Sequence, residues 1–155
     1  MDRANDAVLL VGRLLMAALF LPSGIGKALS FAPFASSLAD KGLPYAEALA
    51  AAAVAIEILG PIALILGVLP SWTALVLVAF VIAASGVSHR YWEFAEAGAR
   101  RSQEVNFFKN IGVIAGLLFY FVSGAGRLSL SAWMVGKPAP QQPKNPETPQ
   151  APQTA

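Results

Sequence analysis

The chain has no cysteine and a single histidine, His89. Without cysteine there is no disulfide frame, no thiolate metal site and no nucleophilic thiol. With one histidine, haem held by two histidines of this chain and histidine-rich metal cages are excluded. Charge is scarce as well. Asp, Glu, Lys and Arg make up 13% of the 155 residues, about half the share of a soluble domain. The formal net charge is only +2 and the basic residues are scattered, which argues against a nucleic-acid partner. No nucleotide-binding loop, metal-ligand spacing or nucleophile triad is present.

What the chain does have is long apolar runs. Hydrophobic residues are 56% of the total. A helix rises ~1.5 Å per residue, so crossing ~30 Å of hydrocarbon takes about 20 mainly apolar residues. Four stretches qualify, at about residues 7–29, 46–69, 72–92 and 105–126. No charged residue lies between Glu57 and His89, and only Leu69-Pro70-Ser71 interrupts that block. Proline there suits a tight turn between antiparallel helices. The first run reads as a retained helix, not a cleavable leader: residues 1–6 are not net positive, and Arg13 breaks the apolar region. The expected fold is all-α, an antiparallel four-helix transmembrane bundle over residues 1–133. A Pro- and Gln-rich disordered tail is expected over 134–155, where apolar periodicity ends. The linker 30–45 contains Pro33, Gly42 and Pro44, with an interfacial turn expected near 31–38. Four spans put both ends of the bundle on one side. Basic residues are balanced between the two sides, so they set no orientation.

The polar residues inside the runs carry the functional signal. A charge near the bilayer centre costs roughly 2.5–3.5 kcal/mol on insertion scales. Such residues need partners, water or a snorkelling route. Arg13, Lys27, Glu57, His89, Lys109 and Arg127 are the charged or titratable candidates. Lys27, His89 and Lys109 fall toward the long-loop side, while Arg13 and Arg127 fall toward the other. Glu57 lies about mid-span, too deep to snorkel easily. Arg13, Phe20 and Lys27 are spaced by seven, and Ser23 is four before Lys27, so they share a stripe. Lys109, Val113, Gly116, Tyr120, Ser123 and Arg127 form a second stripe in the fourth run. Facing inward, it would bring Lys109 level with Lys27 and His89, with Glu57 somewhat deeper between two cations. The bland alternative is that the lysines snorkel and that His89 is merely interfacial. Trp72, Tyr91, Trp92 and Trp133 read as an aromatic belt.

An ordered set of residues carries a family resemblance. It runs Gly12-Arg13-Leu14-Leu15, Phe20-Leu21-Pro22-Ser23-Gly24 and Lys27, then Gly42-Leu43-Pro44 and Glu57 with Gly60 and Gly67. His89 with Trp92, Phe108-Lys109-Asn110, Gly116-Leu117-Leu118 and Gly124-x-Gly126-Arg127 complete it. Over about residues 8–131 the chain resembles the DoxX family of small bacterial four-helix membrane proteins. The family pattern often continues with an acid after Ser-Leu, where this chain has Ser131. The resemblance implies a multi-pass protein of the bacterial inner membrane. It further implies association with quinone-linked redox subunits or with tolerance of quinone-like compounds. Carried over position by position, it gives Arg13, Ser23, Lys27, Glu57, His89, Lys109, Asn110 and Arg127 as pocket candidates. The leading expectation is a redox-associated subunit that contacts a quinone or similar small aromatic. Lys109, Asn110 or His89 would donate to a quinone carbonyl and Glu57 would relay a proton. No redox centre is visible in the sequence, so electrons would come from a partner subunit or from the quinone itself. The same residues would equally serve a small exporter of hydrophobic solutes, or an assembly subunit whose charges fix helix packing.

Overall fold

The structure is a computed structural model that describes residues 3–136; most of the expected tail, from residue 137 on, lies outside the described residues. Four long helices dominate: α1 (Arg3–Leu29), α3 (Ala46–Leu66), α4 (Pro70–Ser88) and α5 (Ala97–Ser123). Two short helices, α2 (Phe31–Ala39) and α6 (Leu130–Val135), and a 3₁₀ turn at Tyr91–Glu93 complete the described fold. All four long helices are apolar enough to cross a membrane, and only 17–28% of their most apolar windows is buried within the chain. The remaining apolar surface needs acyl chains against it, so this is a membrane protein.

The boundaries follow local chemistry. Gly67 closes α3 at φ +66°, a left-handed conformation that glycine adopts without penalty. Pro70 opens α4 at its first position, where its missing N–H is no loss. At α5 the structure corrects the expected start near residue 105. The Glu96 carboxylate accepts from Gly98 N at 2.7 Å and from Ala99 N at 2.5 Å. This N-cap starts the helix eight residues earlier, and its first turns carry Arg100, Arg101 and Glu104. The expected interfacial turn after α1 is instead the nine-residue helix α2. Ala35 and Leu38 bury its inner face against Ala50 of α3.

The tightest seams are α1 with α3 and α4 with α5, and α3 with α4 joins the two pairs. Lipid tails are as apolar as leucine, so close approach and dispersion hold these helices together in place of water exclusion. Leu64, Leu77 and Leu117 fill the centre, each at most 1% exposed. Glycines permit the approach. A Cβ on Gly24 would lie 2.9 Å from both Cβ and the carbonyl oxygen of Glu57. Gly60 is equally pressed by Leu77 from α4. By contrast the α1 and α5 backbones stand farther apart, and side chains such as Met16 span the crevice between them.

Two outcomes test this packing. Gly24→Val should lower stability in detergent by about 1–3 kcal/mol through overpacking. Gly26→Ala, which meets nothing within 4 Å, should leave the melting temperature unchanged. The two backbone N–H groups hold the Glu96 carboxyl below the usual carboxylate range, Ala99 contributing most. A lowered folded pKa means that the cap contributes stability above the ordinary carboxylate range and loses it as pH falls through the lowered value. Hydrogen exchange at Gly98 and Ala99 should therefore lose protection on acidification in the native chain. In Glu96→Gln that pH response should disappear.

Candidate functional site

The polar residues picked out in the sequence fall into three separate clusters. The first is an ion pair within the α1–α3 seam. Glu57, 5% exposed, receives Lys27 Nζ on Oε1 at 2.6 Å and on Oε2 at 2.7 Å. Ser23 Oγ accepts from the same ammonium at 3.1 Å and lies 3.3 Å from Glu57 Oε2. Lys27 also stands 5.3 Å from the centre of the Phe34 ring of α2. The ammonium therefore has an acceptor for each of its three hydrogens. This cluster is closed: an acid deep in the membrane, its counter-charge, and a hydroxyl that joins them.

Lys109 does not join this pair. It is exposed and donates to Asn106 Oδ1 of its own helix at 2.9 Å. The reason is geometric. A four-three rhythm follows a single face only approximately, because the straight helix drifts by ~20° per seven residues. In the C-terminal half of α5 the buried positions are Val113, Leu117 and Tyr120, as the rhythm implies. In the N-terminal half the partly buried positions are Ala99, Gln103, Glu104, Asn106, Phe107 and Asn110, and Lys109 falls outside them.

The second cluster lies along the α4–α5 seam. Asn110 Nδ2 donates to Ser85 Oγ at 2.9 Å, and Ser85 donates back to Val81 O at 2.7 Å. One turn on, His89 Nδ1 meets Gln103 Oε1 at 2.8 Å. Tyr91, Trp92, Phe107 and Phe108 pack edge to face beside it, with ring centres 5.1–5.8 Å apart for four of their pairs. His89 and Asn110 thus each have one partner within the protein.

The third cluster is at the other end, in the crevice between α1 and α5. Arg13 is 2% exposed. Its Nη2 donates to the backbone carbonyl of Leu128, while Nε and Nη1 have no hydrogen-bond partner among the described residues. Among the described residues no acid lies within ion-pair distance of it. The hydroxyl of Tyr120 is also buried without a partner among the described residues. Both side chains line a cavity of about 260 Å³ whose walls include Leu9, Met16, Leu64 and Leu117. Met16 bridges the crevice to Gly116, where even a Cβ would collide with its methyl. Gly67 makes the room for the guanidinium, since a Cβ there would overlap Nη1. Burying a guanidinium beside one neutral carbonyl is expensive, of order several kcal/mol for an uncompensated ion, so among the described residues this group has much to gain from a ligand.

Asp6 is the residue that the sequence reading missed. It is 4% exposed, and its Oδ1 accepts from the backbone N–H of Arg127 at 2.8 Å. It sits seven residues before Arg13 on the same stripe, so extending the spacing backwards finds it. The Arg127 side chain itself is exposed, and this residue contributes its backbone and not its charge.

The profile of the DoxX family matches residues 8–90, just over half of the chain. The chain belongs to the DoxX family. The DoxX match takes in α1 to α4, and with them Arg13, the Lys27–Glu57 pair and Ser85. A full-length likeness extends further. Inner membrane protein YphA of Escherichia coli (strain K12) is 25% identical over 127 residues, covering 82% of this chain and 90% of its own length. No solved structure matches.

The ion pair makes a sharp prediction. Lys27→Met strands the Glu57 carboxylate and should cost roughly 3 kcal/mol, near the low end for breaking a buried pair because the ammonium keeps some exposure. The double variant Lys27→Met/Glu57→Leu should recover most of that loss. Equal melting temperatures for the single and double variants would show that no coupling exists.

Proposed function

We propose that this DoxX-family protein is a redox-associated subunit of the bacterial inner membrane that takes a quinone, or a similar small aromatic, from the bilayer into the α1–α5 crevice. The observation that carries this reading is the pairing of unpartnered donors with apolar walls in one lipid-facing cavity. A quinone is an apolar ring with carbonyl acceptors and a lipid-soluble tail. Tyr120 Oη and the free N–H groups of Arg13 would donate to a carbonyl, and Met16, Leu64 and Leu117 would flank the ring. Val8 and Phe119, exposed at the rim of the cavity, would leave the tail among the acyl chains.

This relocates the contact from the residues first singled out. Lys109 is outside the bundle, while Asn110 and His89 already have partners. Glu57, held by Lys27 and Ser23 in another seam, serves as a staple between α1 and α3. Electrons would come from a partner subunit or from the quinone itself. An exporter would need a continuous polar path, and the packed leucines at positions 64, 77 and 117 lie between the polar clusters at the two ends.

Purified protein in nanodiscs should bind a short-chain ubiquinone or menaquinone analogue. Tyr120→Phe should weaken binding by about fivefold, the worth of roughly one hydrogen bond, and Arg13→Gln by more. Native protein that binds no quinone, or variants that bind it as well as the native chain, would remove this reading.

A further inference from the structure

We infer that the crevice selects an amphiphile with an anionic oxyacid head, carboxylate or phosphate, whose chain lies between α1 and α5. This rests on the crevice being a binding site but not on a quinone being its ligand. The argument starts from a contrast within α1. Two basic residues, Arg13 and Lys27, share one helical stripe. Lys27 has a carboxylate on its ammonium, whereas Arg13 has only a neutral carbonyl. A guanidinium stays charged at any ordinary pH. The nearest described acid on its stripe, Asp6, makes no ion pair with it: its carboxylate accepts from the backbone N–H of Arg127, the residue before the Leu128 carbonyl that Arg13 uses.

A neutral acceptor would satisfy a hydrogen bond but leave the charge uncompensated in a low-dielectric setting. An anion does both. The vacant donors, Nε and Nη1, are distinct nitrogens of the guanidinium, and Tyr120 adds a third donor in the same cavity. A head with two or more oxygens serves them better than a single carbonyl. The level also fits. Arg13 contacts Leu128 and lies against Gly67, just beyond the ends of α5 and α3, where lipid head groups sit. Met16, Leu64 and Leu117 continue inward from it as an apolar slot, which calls for a chain and not a free ion.

The test uses delipidated full-length protein in a neutral detergent, with binding read by native mass spectrometry and by thermal shift. The probes are dioleoyl phosphatidylglycerol, oleate, dioleoyl phosphatidylcholine and inorganic phosphate. The native chain should prefer phosphatidylglycerol, oleate or both over phosphatidylcholine by about tenfold, and inorganic phosphate should give no shift. A larger response to oleate than to phosphatidylglycerol assigns a fatty-acid head; the reverse assigns a phospholipid. Arg13→Gln should abolish the preference, Arg13→Lys should keep part of it, and Arg127→Gln, which removes an exposed charge, should leave it in place. The preference in the native chain is read without any variant, so misfolding of Arg13→Gln does not shelter the idea. Equal binding of the two phospholipids with no response to oleate, a preference that survives in folded Arg13→Gln, or a full response to inorganic phosphate would each overturn it. Charge preference without quinone binding leaves this inference standing and removes the quinone reading; quinone binding without charge preference does the opposite.

Discussion

The fold rests on one constraint: helices surrounded by lipid gain nothing from water exclusion, so they must touch closely or share a polar bond. The α1–α3 seam does both at a single point. Gly24 lets the backbone of α1 settle onto Glu57, and one turn later Lys27 reaches the carboxylate of that same residue. A larger residue at 24 would separate the helices, and a separated pair would leave an acid alone in hydrocarbon. Contact and charge are therefore one arrangement, and the remaining seams are built around the position it fixes for α1.

The same logic explains why the polar residues form islands. Each seam satisfies its own groups with the nearest available acceptor: Ser23 for Lys27, Ser85 for Asn110, Gln103 for His89. Between the islands the core is aliphatic, with Phe20, Leu64, Leu77, Val81 and Leu117 in one cluster. Among the described residues, the buried donors left without acceptors, at Arg13 and Tyr120, lie at the α1–α5 crevice. Ligand chemistry and looser packing coincide there because the α1 and α5 backbones stand farther apart than those of the other seams.

Much of this was legible in the sequence. Run lengths gave four spans and the turn at Pro70, and Glu57 was recognisable as an acid too deep to be free. The seven-residue stripe of α1 predicted that Lys27 and Arg13 face inward, and Asp6 was within reach of the same count. Three things were not legible. The start of α5 depended on a cap, Glu96, set among other charges that gave no periodic signal. The inward face of α5 shifts along its length, so a stripe anchored at Tyr120 misplaced Lys109 by the time it reached the other end. The third was pairwise: a helical pattern tells which way a residue points but not which neighbour meets it, and the sequence therefore joined Lys109 to Glu57 and left Arg13 without a distinct role.

The exposed apolar rim of the α1–α5 crevice has a consequence for concentration. A site reached through the acyl region samples solutes at their level in the membrane, not in water. For a molecule that partitions strongly into lipid the two differ by orders of magnitude, so a weak intrinsic affinity is enough to keep such a site filled. Selection must then come from the polar end of the guest, and that is where Arg13 and Tyr120 stand.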